Sequence, residues 1–265
     1  MGSRTLRNRE AAVSKTEFFQ GKKALITGGA RRLGRDTALA LGRAGTHLAI
    51  HYNTSREPAE VLCQELEALG VKAVPVEGDL QEMEGVEGVF LGAWDALGGL
   101  DLLVNNASIF PPGRMDEMTF QDLLPNLRVN AWAPFILTRA LWRKVRDSGN
   151  RASVVNLLDT RLVGKDLAHA PYHLSKAVLA ELTTMMALEF APEVQVNGVA
   201  PGAVLAPEEL DEAYLESLTQ ELPLKRRGYP RDISDATLYL LAASFVTGQV
   251  IFVDGGRHIR LGGNT

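Results

Sequence analysis

Short apolar runs alternate with longer amphipathic segments along most of the chain, from Lys22 onward. Seven runs rich in Val, Leu and Ile are separated by helix-length segments: KALIT, HLAIHY, KAVPVE, LDLLVNN, ASVVNLL, VQVNGVA and QVIFVD. This alternation is typical of βαβ units, in which helices cover both faces of a parallel sheet. Because such crossovers are right-handed, the sequence predicts an α/β fold with a doubly wound, seven-stranded parallel sheet flanked by helices.

The chain reads as one domain behind a short arm. It has 265 residues, and a single α/β domain commonly reaches about 250. No internal repeat or Pro/Gly/Ser-rich linker interrupts the sequence after residue 22. Residues 1–20 alternate small, polar and charged side chains without a sustained strand or helix pattern. We therefore expect a flexible N-terminal arm over residues 1–20 and one domain over residues 21–265.

Charge and cysteine content exclude several classes of partner. The 28 Lys and Arg residues are outnumbered by 32 Asp and Glu residues, so the basic excess that nucleic-acid binding needs is missing. The single cysteine, Cys63, lies at helical spacing among apolar residues, which predicts a small buried side chain and a reducing compartment. No stretch approaches the roughly 18 apolar residues of a membrane span. We expect a cytoplasmic protein with neither nucleic acid nor membrane as partner.

The turn after the first strand has the composition of a phosphate-binding loop. It reads Thr27-Gly28-Gly29-Ala30-Arg31-Arg32-Leu33-Gly34 and leads into a helix. Glycines let the backbone approach a pyrophosphate, and the helix N-terminus offers it unpaired N–H groups and a positive dipole. The spacing is not G-x-G-x-x-G, so a glycine-rich βα turn without a ligand remains an alternative interpretation.

The end of the second strand indicates which dinucleotide fits. An NAD enzyme of this layout places Asp or Glu about 20 residues after the glycines, to hold the ribose 2′-hydroxyl. That place reads His51-Tyr52-Asn53-Thr54-Ser55-Arg56 and lacks a carboxylate. Hydroxyls and a guanidinium suit a 2′-phosphate, and Arg31, Arg32 and Arg35 add positive charge. The sequence favours NADPH, with a merely solvated basic helix start as the alternative.

Tyr172 and Lys176 form a candidate proton-delivery pair. Their four-residue spacing puts them on one face of a predicted helix. An ammonium beside a phenol favours the phenolate, so we expect Lys176 to lower the pKa of Tyr172 from about 10. Tyr172 is then a plausible proton donor to a substrate that receives a hydride. The alternative is a half-buried surface pair with no catalytic role.

Four motifs together resemble the short-chain dehydrogenase/reductase family over about residues 22–257. They are the Thr-Gly of the first turn, Asn105-Asn106-Ala107-Ser108, Tyr172 with Lys176, and Pro201-Gly202. The resemblance implies a Rossmann-type subunit, usually tetrameric, whose Asn-Asn-Ala and Pro-Gly segments border a nicotinamide. It also implies that Asn130 takes part in a proton relay.

Two departures from the general family narrow the substrate. Arg32 stands where the family turn usually has glycine, and Asp159 stands where it usually has a catalytic serine. With Phe110 and the closing Asp254–Arg260 segment, they resemble the pteridine reductase branch and bacterial dihydromonapterin reductases. In that branch the residue matching Phe110 stacks on the pterin, as flat aromatic rings do. The order of Thr54, Ser55 and Arg56 departs from the branch and predicts a shifted phosphate clamp.

The resemblance assigns site residues one by one. The catalytic set is Asp159, Tyr172, Lys176 and Asn130, and the substrate-binding set is Arg32, Ser108, Phe110, Asp159 and Tyr172. The cofactor-binding set is Gly28, Arg31, Arg32, Leu33, Gly34, His51, Tyr52, Asn53, Thr54, Ser55, Asp79, Leu80, Asn106, Ala107, Ser108, Tyr172, Lys176, Pro201 and Gly202. No metal is expected, since His169 and His173 lack a third ligand nearby.

The working hypothesis is an NADPH-dependent pteridine reductase that forms a tetrahydropterin or tetrahydrofolate from the dihydro form, acting as a homotetramer. One alternative is a carbonyl reductase of the same fold, such as a 3-oxoacyl thioester reductase. Another is a non-catalytic dinucleotide-binding sensor. The acidic segment Ala206–Leu224 is either a substrate lid or a solvated helix. The resemblance also makes Arg257 or Arg260 a candidate to contact substrate across an interface, in a neighbouring subunit's active site.

Overall fold

The computed structural model describes residues 15–205, 219–220 and 222–262. Seven parallel strands form one sheet in the order β3-β2-β1-β4-β5-β6-β7. The strands are β1 (Lys23–Ile26), β2 (His47–Tyr52), β3 (Ala73–Glu77), β4 (Leu102–Asn105), β5 (Ala152–Leu157), β6 (Val194–Pro201) and β7 (Val250–Val253). All seven predicted strands are confirmed.

Helices follow the strands on both faces of the sheet, as the sequence predicts. They are α1 (Lys15–Phe19), α2 (Arg32–Arg43), α3 (Arg56–Ala68), α4 (Met83–Leu97), α5 (Phe120–Leu127), α6 (Ala133–Val145), α7 (Ala170–Glu189), α8 (Pro230–Ala242) and α9 (Arg257–Gly262). A π-helical turn, Arg128–Trp132, joins α5 to α6, and a 3₁₀ turn, Thr160–Leu162, follows β5. Among the described residues, no helix is long and apolar enough to cross a bilayer.

The core lies in two layers, one on each face of the sheet. Alternate residues of a strand point to opposite faces, so Ile26 joins one apolar cluster and Leu25 the other. Every residue of β4 and β5 is buried. Burial on both faces explains why these strands read as continuous apolar runs in the sequence.

The strand order reverses between β1 and β4, and this reversal places the site. β1 pairs with β2 on one side and β4 on the other, and the two chain directions diverge there. In an open parallel sheet the crevice at this point, beyond the carboxyl ends of the strands, is where ligands bind. The loops after β1 and β4 therefore face a common opening.

The flexible-arm expectation is wrong for residues 15–20. Residues 15–19 form α1, and Phe19 is 1% exposed within the core. Thr46 donates a hydrogen bond to the Phe19 carbonyl at 3.2 Å, which ties α1 to the start of β2. Two adjacent phenylalanines in a polar stretch show no period, so sequence patterning missed them. Residues 1–14 and most of the predicted lid segment lie outside the described residues.

Candidate active site

A cavity of about 500 Å³ opens at the carboxyl ends of the strands. Most of the predicted site residues line it: Gly28, Arg31, Arg32, Leu33, Gly34, His51, Asn53, Asp79, Leu80, Asn106, Ala107, Ser108, Phe110, Asp159, Tyr172, Lys176, Pro201 and Gly202. Four predicted residues are not on its wall: Tyr52, Thr54, Ser55 and Asn130. Residues far apart in the sequence thus meet in one opening because parallel strands end at the same edge.

The first turn is held close to the loop after β4. Thr27 Oγ1 accepts hydrogen bonds from the backbone N–H groups of Asn106 and Ala107, both at 3.0 Å. Asn106 Nδ2 donates to the carbonyls of Thr27 and Gly28, both at 2.9 Å. A side chain at Gly34 would lie 2.4 Å from the Gly28 carbonyl oxygen, so only glycine allows α2 to pack here. These contacts hold the turn open toward the cavity.

The start of α2 is arranged to receive an anion. The side chain of its N-cap residue, Arg31, makes no capping hydrogen bond, and Arg31 and Arg32 line the cavity beside its first N–H groups. Arg32 has φ of +52°, a left-handed conformation that glycine adopts more easily. Arg32 therefore presents its guanidinium to the cavity at a cost in backbone strain that glycine would not have.

His51 holds the first turn in place through hydrogen bonds and does not contribute a positive charge to the site. Its Nδ1 accepts a hydrogen bond from the Gly28 N–H at 3.0 Å, and its Nε2 is 3.0 Å from the Gly78 carbonyl. With both ring nitrogens engaged in this way, the ring is neutral with its proton on Nε2. Burial, the largest cause, lowers the pKa of His51 from its ordinary value. Its predicted cofactor contact is therefore not made by a free ring nitrogen.

Two residues of the expected clamp at the end of β2 are engaged with a carboxylate of β3, and a shifted phosphate clamp stays a prediction. The buried Tyr52 donates its hydroxyl hydrogen bond to Glu77 at 3.1 Å, and Arg56 forms an ion pair with the same carboxylate. Thr54 and Ser55 lie off the cavity, whereas Asn53 lines it. Glu77, 21 residues from Arg56, is a partner that the β2 sequence alone does not reveal. Arg31 and Arg32 line this end of the cavity.

Tyr172, Asp159 and Lys176 meet beyond β5. The Tyr172 hydroxyl donates to Asp159 Oδ2 at 2.8 Å. The Lys176 ammonium donates to the Leu157 carbonyl at 2.7 Å and lies 5.8 Å from the centre of the Tyr172 ring. α7 begins at Ala170, so both side chains project from its first two turns on one face. The predicted helical pairing is confirmed.

The predicted direction of the Tyr172 pKa shift is wrong. Burial, followed by the charge of Asp159 and its hydrogen bond, raises the pKa of Tyr172 well above 10. Burial also lowers the pKa of Lys176 to about 8, although Asp159 opposes this shift. Burial of the phenol, and second the carboxylate that it faces in place of an ammonium, explain the reversal of the pKa shift. Tyr172 therefore holds its proton at neutral pH, as a proton donor must.

Asn130 lies behind the cavity wall in the π-helical turn. Its side-chain oxygen accepts from the Ile109 N–H at 2.8 Å and from Ser108 Oγ at 3.1 Å. Its amide nitrogen donates to the Ile109 carbonyl and to Ser175 Oγ, both at 3.0 Å. Asn130 thus fixes the loop that carries Ser108 and Phe110 against α7. Its role in a proton relay stays a prediction.

The Phe110 ring contacts Tyr172 and also two side chains, His169 and Arg161, that the sequence did not place in the site. It stacks on His169 at 4.0 Å between ring centres and meets Tyr172 edge-on at 4.6 Å. The Arg161 guanidinium lies 5.0 Å from the same ring centre. Asp166 accepts hydrogen bonds from His169 and pairs with Arg161. The segment from Thr160 to His169 has no periodic pattern, so nothing in the sequence linked these residues to Phe110.

The start of α9 is tied to the residue next to Asp159. Asp254, after β7, accepts hydrogen bonds from the Thr160 hydroxyl and from the His258 backbone at 2.7 Å. Its carboxylate is also 2.9 Å from His258 Nδ1. Arg257 lines the cavity of its own chain, and the predicted contact of Arg257 or Arg260 with substrate across a subunit interface stays a prediction. Within the described ranges, no group of three or more His, Cys, Asp or Glu residues is placed to hold a metal ion.

These features fit a nicotinamide dinucleotide. The uncapped start of α2 with its arginines suits a pyrophosphate, and the loops after β4 and β6 bound the cavity next to Tyr172. A side chain at Gly28 would meet the Ala107 backbone at 2.9 Å, so the narrow contact between these two loops also depends on glycine. The fold and site together define a dinucleotide-dependent oxidoreductase.

Comparison with known proteins identifies the family. A family model described as enoyl-(acyl carrier protein) reductase matches residues 28–258. The 3-oxoacyl-acyl-carrier-protein reductase of Aquifex aeolicus is 35% identical over 250 residues, covering 90% of this chain and 98% of that protein. Glucose 1-dehydrogenase 2 of Bacillus subtilis is 28% identical and covers 89% and 94%. The chain belongs to the short-chain dehydrogenase/reductase family and is an NAD(P)-dependent oxidoreductase.

Solved structures add a more specific similarity. Alternative dihydrofolate reductase 1 (FolM) of Brucella suis, in complex with NADP, matches with a TM-score of 0.85 and 32% identity, covering 90% of this chain and 95% of that one. The FolM structure from Brucella canis, also with NADP, gives a TM-score of 0.83 and 31% identity, covering 90% and 94%. The fold and the recognised resemblance to pteridine-reductase-like members of the family are confirmed.

Proposed function

We propose that this protein is a cytoplasmic NADPH-dependent reductase of a pterin-type ring C=N bond, with a dihydropterin or dihydrofolate as substrate. The observation that carries the proposal is the 2.8 Å hydrogen bond from the Tyr172 hydroxyl to Asp159, next to the Phe110 ring. A carboxylate in this place can hydrogen-bond a nitrogen heterocycle, which a serine tuned to a carbonyl oxygen does less well. The structural similarity to FolM supports the same substrate class.

The preference for NADPH follows from the charges around the first turn. Arg31 and Arg32 line the cavity, and the residue that directly follows β2 on the cavity wall is Asn53, where an NAD enzyme of this layout has a carboxylate. A 2′-phosphate is favoured by arginine and would be repelled by Asp or Glu. Gly28, Leu33, Gly34, Asp79 and Leu80 border the same region. Both FolM structures contain NADP, which supports this preference.

At the reacting end, the bound cofactor supplies a hydride to a ring carbon of the substrate. Tyr172 donates a proton toward the adjacent ring nitrogen, and Asp159 orients the Tyr172 hydroxyl. Lys176 anchors the base of the site through the Leu157 carbonyl, and Asn130 holds the Ser108–Phe110 loop. Ser108, Phe110 and Arg32 contact the substrate ring and its edge. The wall formed by Asn106, Ala107, Pro201 and Gly202 would border the nicotinamide of NADPH bound in this cavity.

A carbonyl reductase is the second candidate, and a specific observation favours it. The Aquifex relative, at 35% identity, is a 3-oxoacyl thioester reductase by name, and the Bacillus relative acts on a sugar. The residues against it are Asp159 in the usual serine position and Arg32 in the usual glycine position. Both candidates use the same dinucleotide and the same Tyr172, so the substrate alone separates them.

A side-by-side turnover assay tests the proposal. Consumption of NADPH is followed with dihydrobiopterin, dihydromonapterin, dihydrofolate and an acetoacetyl thioester, with NADH as the control donor. We expect turnover of dihydropterins or dihydrofolate with NADPH and much weaker turnover with NADH. Turnover of the thioester alone overturns the pterin assignment. Binding of NADPH without turnover of any substrate supports a sensor instead of an enzyme.

We also propose a homotetramer of this chain. Large apolar side chains are exposed along one side of α7, namely Val178, Met185 and Leu188, the last at 84% exposure. Their spacing of seven and three residues puts them on one helix face. An apolar stripe of this kind on a water-facing helix is typical of a subunit interface.

A further inference from the structure

Arg161 lies in the 3₁₀ turn after β5 and pairs with two carboxylates at once. Its guanidinium is 3.3 Å from Asp159 Oδ2 and 3.0 Å from Asp166 Oδ2. The side chains of Arg161, Asp159 and Asp166 are 25%, 15% and 16% exposed. Ion pairs at this depth are screened less by water than surface pairs, so the geometry of the three side chains is coupled.

Within the part of the chain that the structure describes, the hydrogen bonds that orient the Asp159 carboxylate come from Arg161 and Tyr172. Oδ1 accepts from the Arg161 backbone N–H at 2.7 Å. Oδ2 is shared by the Arg161 guanidinium at 3.3 Å and the Tyr172 hydroxyl at 2.8 Å. The Arg161 guanidinium also lies 5.0 Å from the Phe110 ring centre, at the surface assigned to the substrate ring.

We propose that Arg161 is a positioning residue for proton delivery: it holds the Asp159 carboxylate on the Tyr172 hydroxyl while it bounds the Phe110 surface. This rests on the proposed function in one respect, that Tyr172 is the proton donor. Asp166 completes the arrangement by holding Arg161 from the other side. His169, which stacks on Phe110 and donates to Asp166, links the ring to the same network.

The charges that face Tyr172 give Arg161 a measurable signature. Asp159 and Asp166 raise the pKa of Tyr172, and burial raises it most, whereas Arg161 lowers it. Lys176 is the other cation near the ring, but its ammonium is directed to the Leu157 carbonyl. Removing Arg161 leaves two carboxylates facing the phenol without their cation. The pKa of Tyr172 then rises further, and the alkaline limb of kcat moves to higher pH.

The test compares Arg161→Gln and Arg161→Lys with the control Arg146→Gln. Arg146 is matched because it pairs with Asp147 at 3.1 Å and lies 5.1 Å from the Trp142 ring, remote from the cavity. Each variant is assayed with the substrate that the wild-type enzyme turns over best, for kcat, KM and pH profile. NADPH affinity is measured by fluorescence, and folding by thermal melting.

We expect Arg161→Gln to lower kcat by about 10- to 100-fold, because small misplacements of reacting groups have effects of this size. NADPH affinity stays within about twofold of wild type, since the arginine acts on proton delivery rather than on cofactor capture. Arg161→Lys recovers part of kcat, because it keeps the charge but not the planar fork. Arg146→Gln leaves kcat unchanged.

Wild-type kcat and pH profile in a folded Arg161→Gln variant overturn the proposal, as does the absence of any rescue by lysine. If Arg161→Gln does not fold, Asp166→Asn serves in its place, because it removes one anchor of Arg161 and leaves Asp159 intact. An unchanged kcat there also overturns the proposal. The proposed function fails separately, when wild-type enzyme reduces only the thioester, and the Arg161 comparison is then made on that substrate.

Discussion

Tyr172 is buried with its hydroxyl on Asp159, so the two side chains form one proton-delivering unit. Tyr172→Phe removes the proton, and Asp159→Ala removes the group that orients it. We expect each to lower kcat by about 100-fold or more, the usual contribution of a general acid. NADPH affinity measured by fluorescence titration remains close to wild type, because neither change touches the first turn. Full activity in both variants contradicts the mechanism.

Lys176 makes stability depend on pH in a defined direction. Burial lowers its pKa from 10.5 to about 8, so between these values the unfolded chain binds more protons than the folded chain. The free energy of unfolding contributed by Lys176 therefore rises with pH across that window. We expect the wild-type protein to gain stability relative to Lys176→Met as the pH increases from about 8.

Urea unfolding at several pH values measures the difference in free energy of unfolding between wild type and Lys176→Met. The contributions of the ionisable groups that both proteins share cancel in this difference. Lys144→Met, at an exposed lysine on α6, is the control and should give a curve parallel to wild type. A Lys176→Met curve that is also parallel to wild type over this pH range refutes the assignment of a depressed pKa to Lys176.

At the scale of elements, α2 meets the first turn through Gly34. A Cβ there would lie 2.4 Å from the Gly28 carbonyl oxygen and 2.6 Å from Asn106 Nδ2. We expect Gly34→Ala to lower the free energy of unfolding by roughly 1–3 kcal/mol through overpacking, and to weaken NADPH binding by shifting the turn. Gly88→Ala on α4 is the control, because a Cβ there meets open space. It should stabilise by about 0.5–1 kcal/mol in chemical denaturation.

The strands could be predicted from the sequence, because burial on both faces leaves a local apolar pattern. The loop from Thr160 to His169 could not, because its structure depends on contacts between residues that are distant in the sequence. β4 and β5 are buried on both faces, so their apolar content is visible in the sequence, and Tyr172 and Lys176 are joined by helical spacing. The loop from Thr160 to His169 folds through ion pairs with residues brought close by the sheet. The pKa of Tyr172 depends on burial and on which neighbour it faces, and neither is visible in a four-residue spacing.

At the scale of the whole molecule, the exposed apolar face of α7 predicts assembly. We expect light scattering after size exclusion to give about four times the 28.8 kDa mass of one chain. Replacing Met185 and Leu188 together by Glu places charges in the interface, so a smaller species is expected. Val61→Glu, an exposed apolar position on α3, should leave the mass unchanged. A monomeric wild-type protein contradicts the proposed tetramer.

The hydrogen bond from Thr160 to Asp254 joins residues 94 positions apart. Thr160 follows an interior strand, whereas Asp254 follows β7, the strand at the edge of the sheet. The cavity wall is therefore complete only after the outermost strand has docked. During refolding from urea, circular dichroism reports helices that form early, but regained turnover reports the finished sheet. We therefore expect turnover to return no earlier than the circular dichroism signal of the helices when the protein refolds from urea, because the cavity wall needs Asp254 in place beside Thr160.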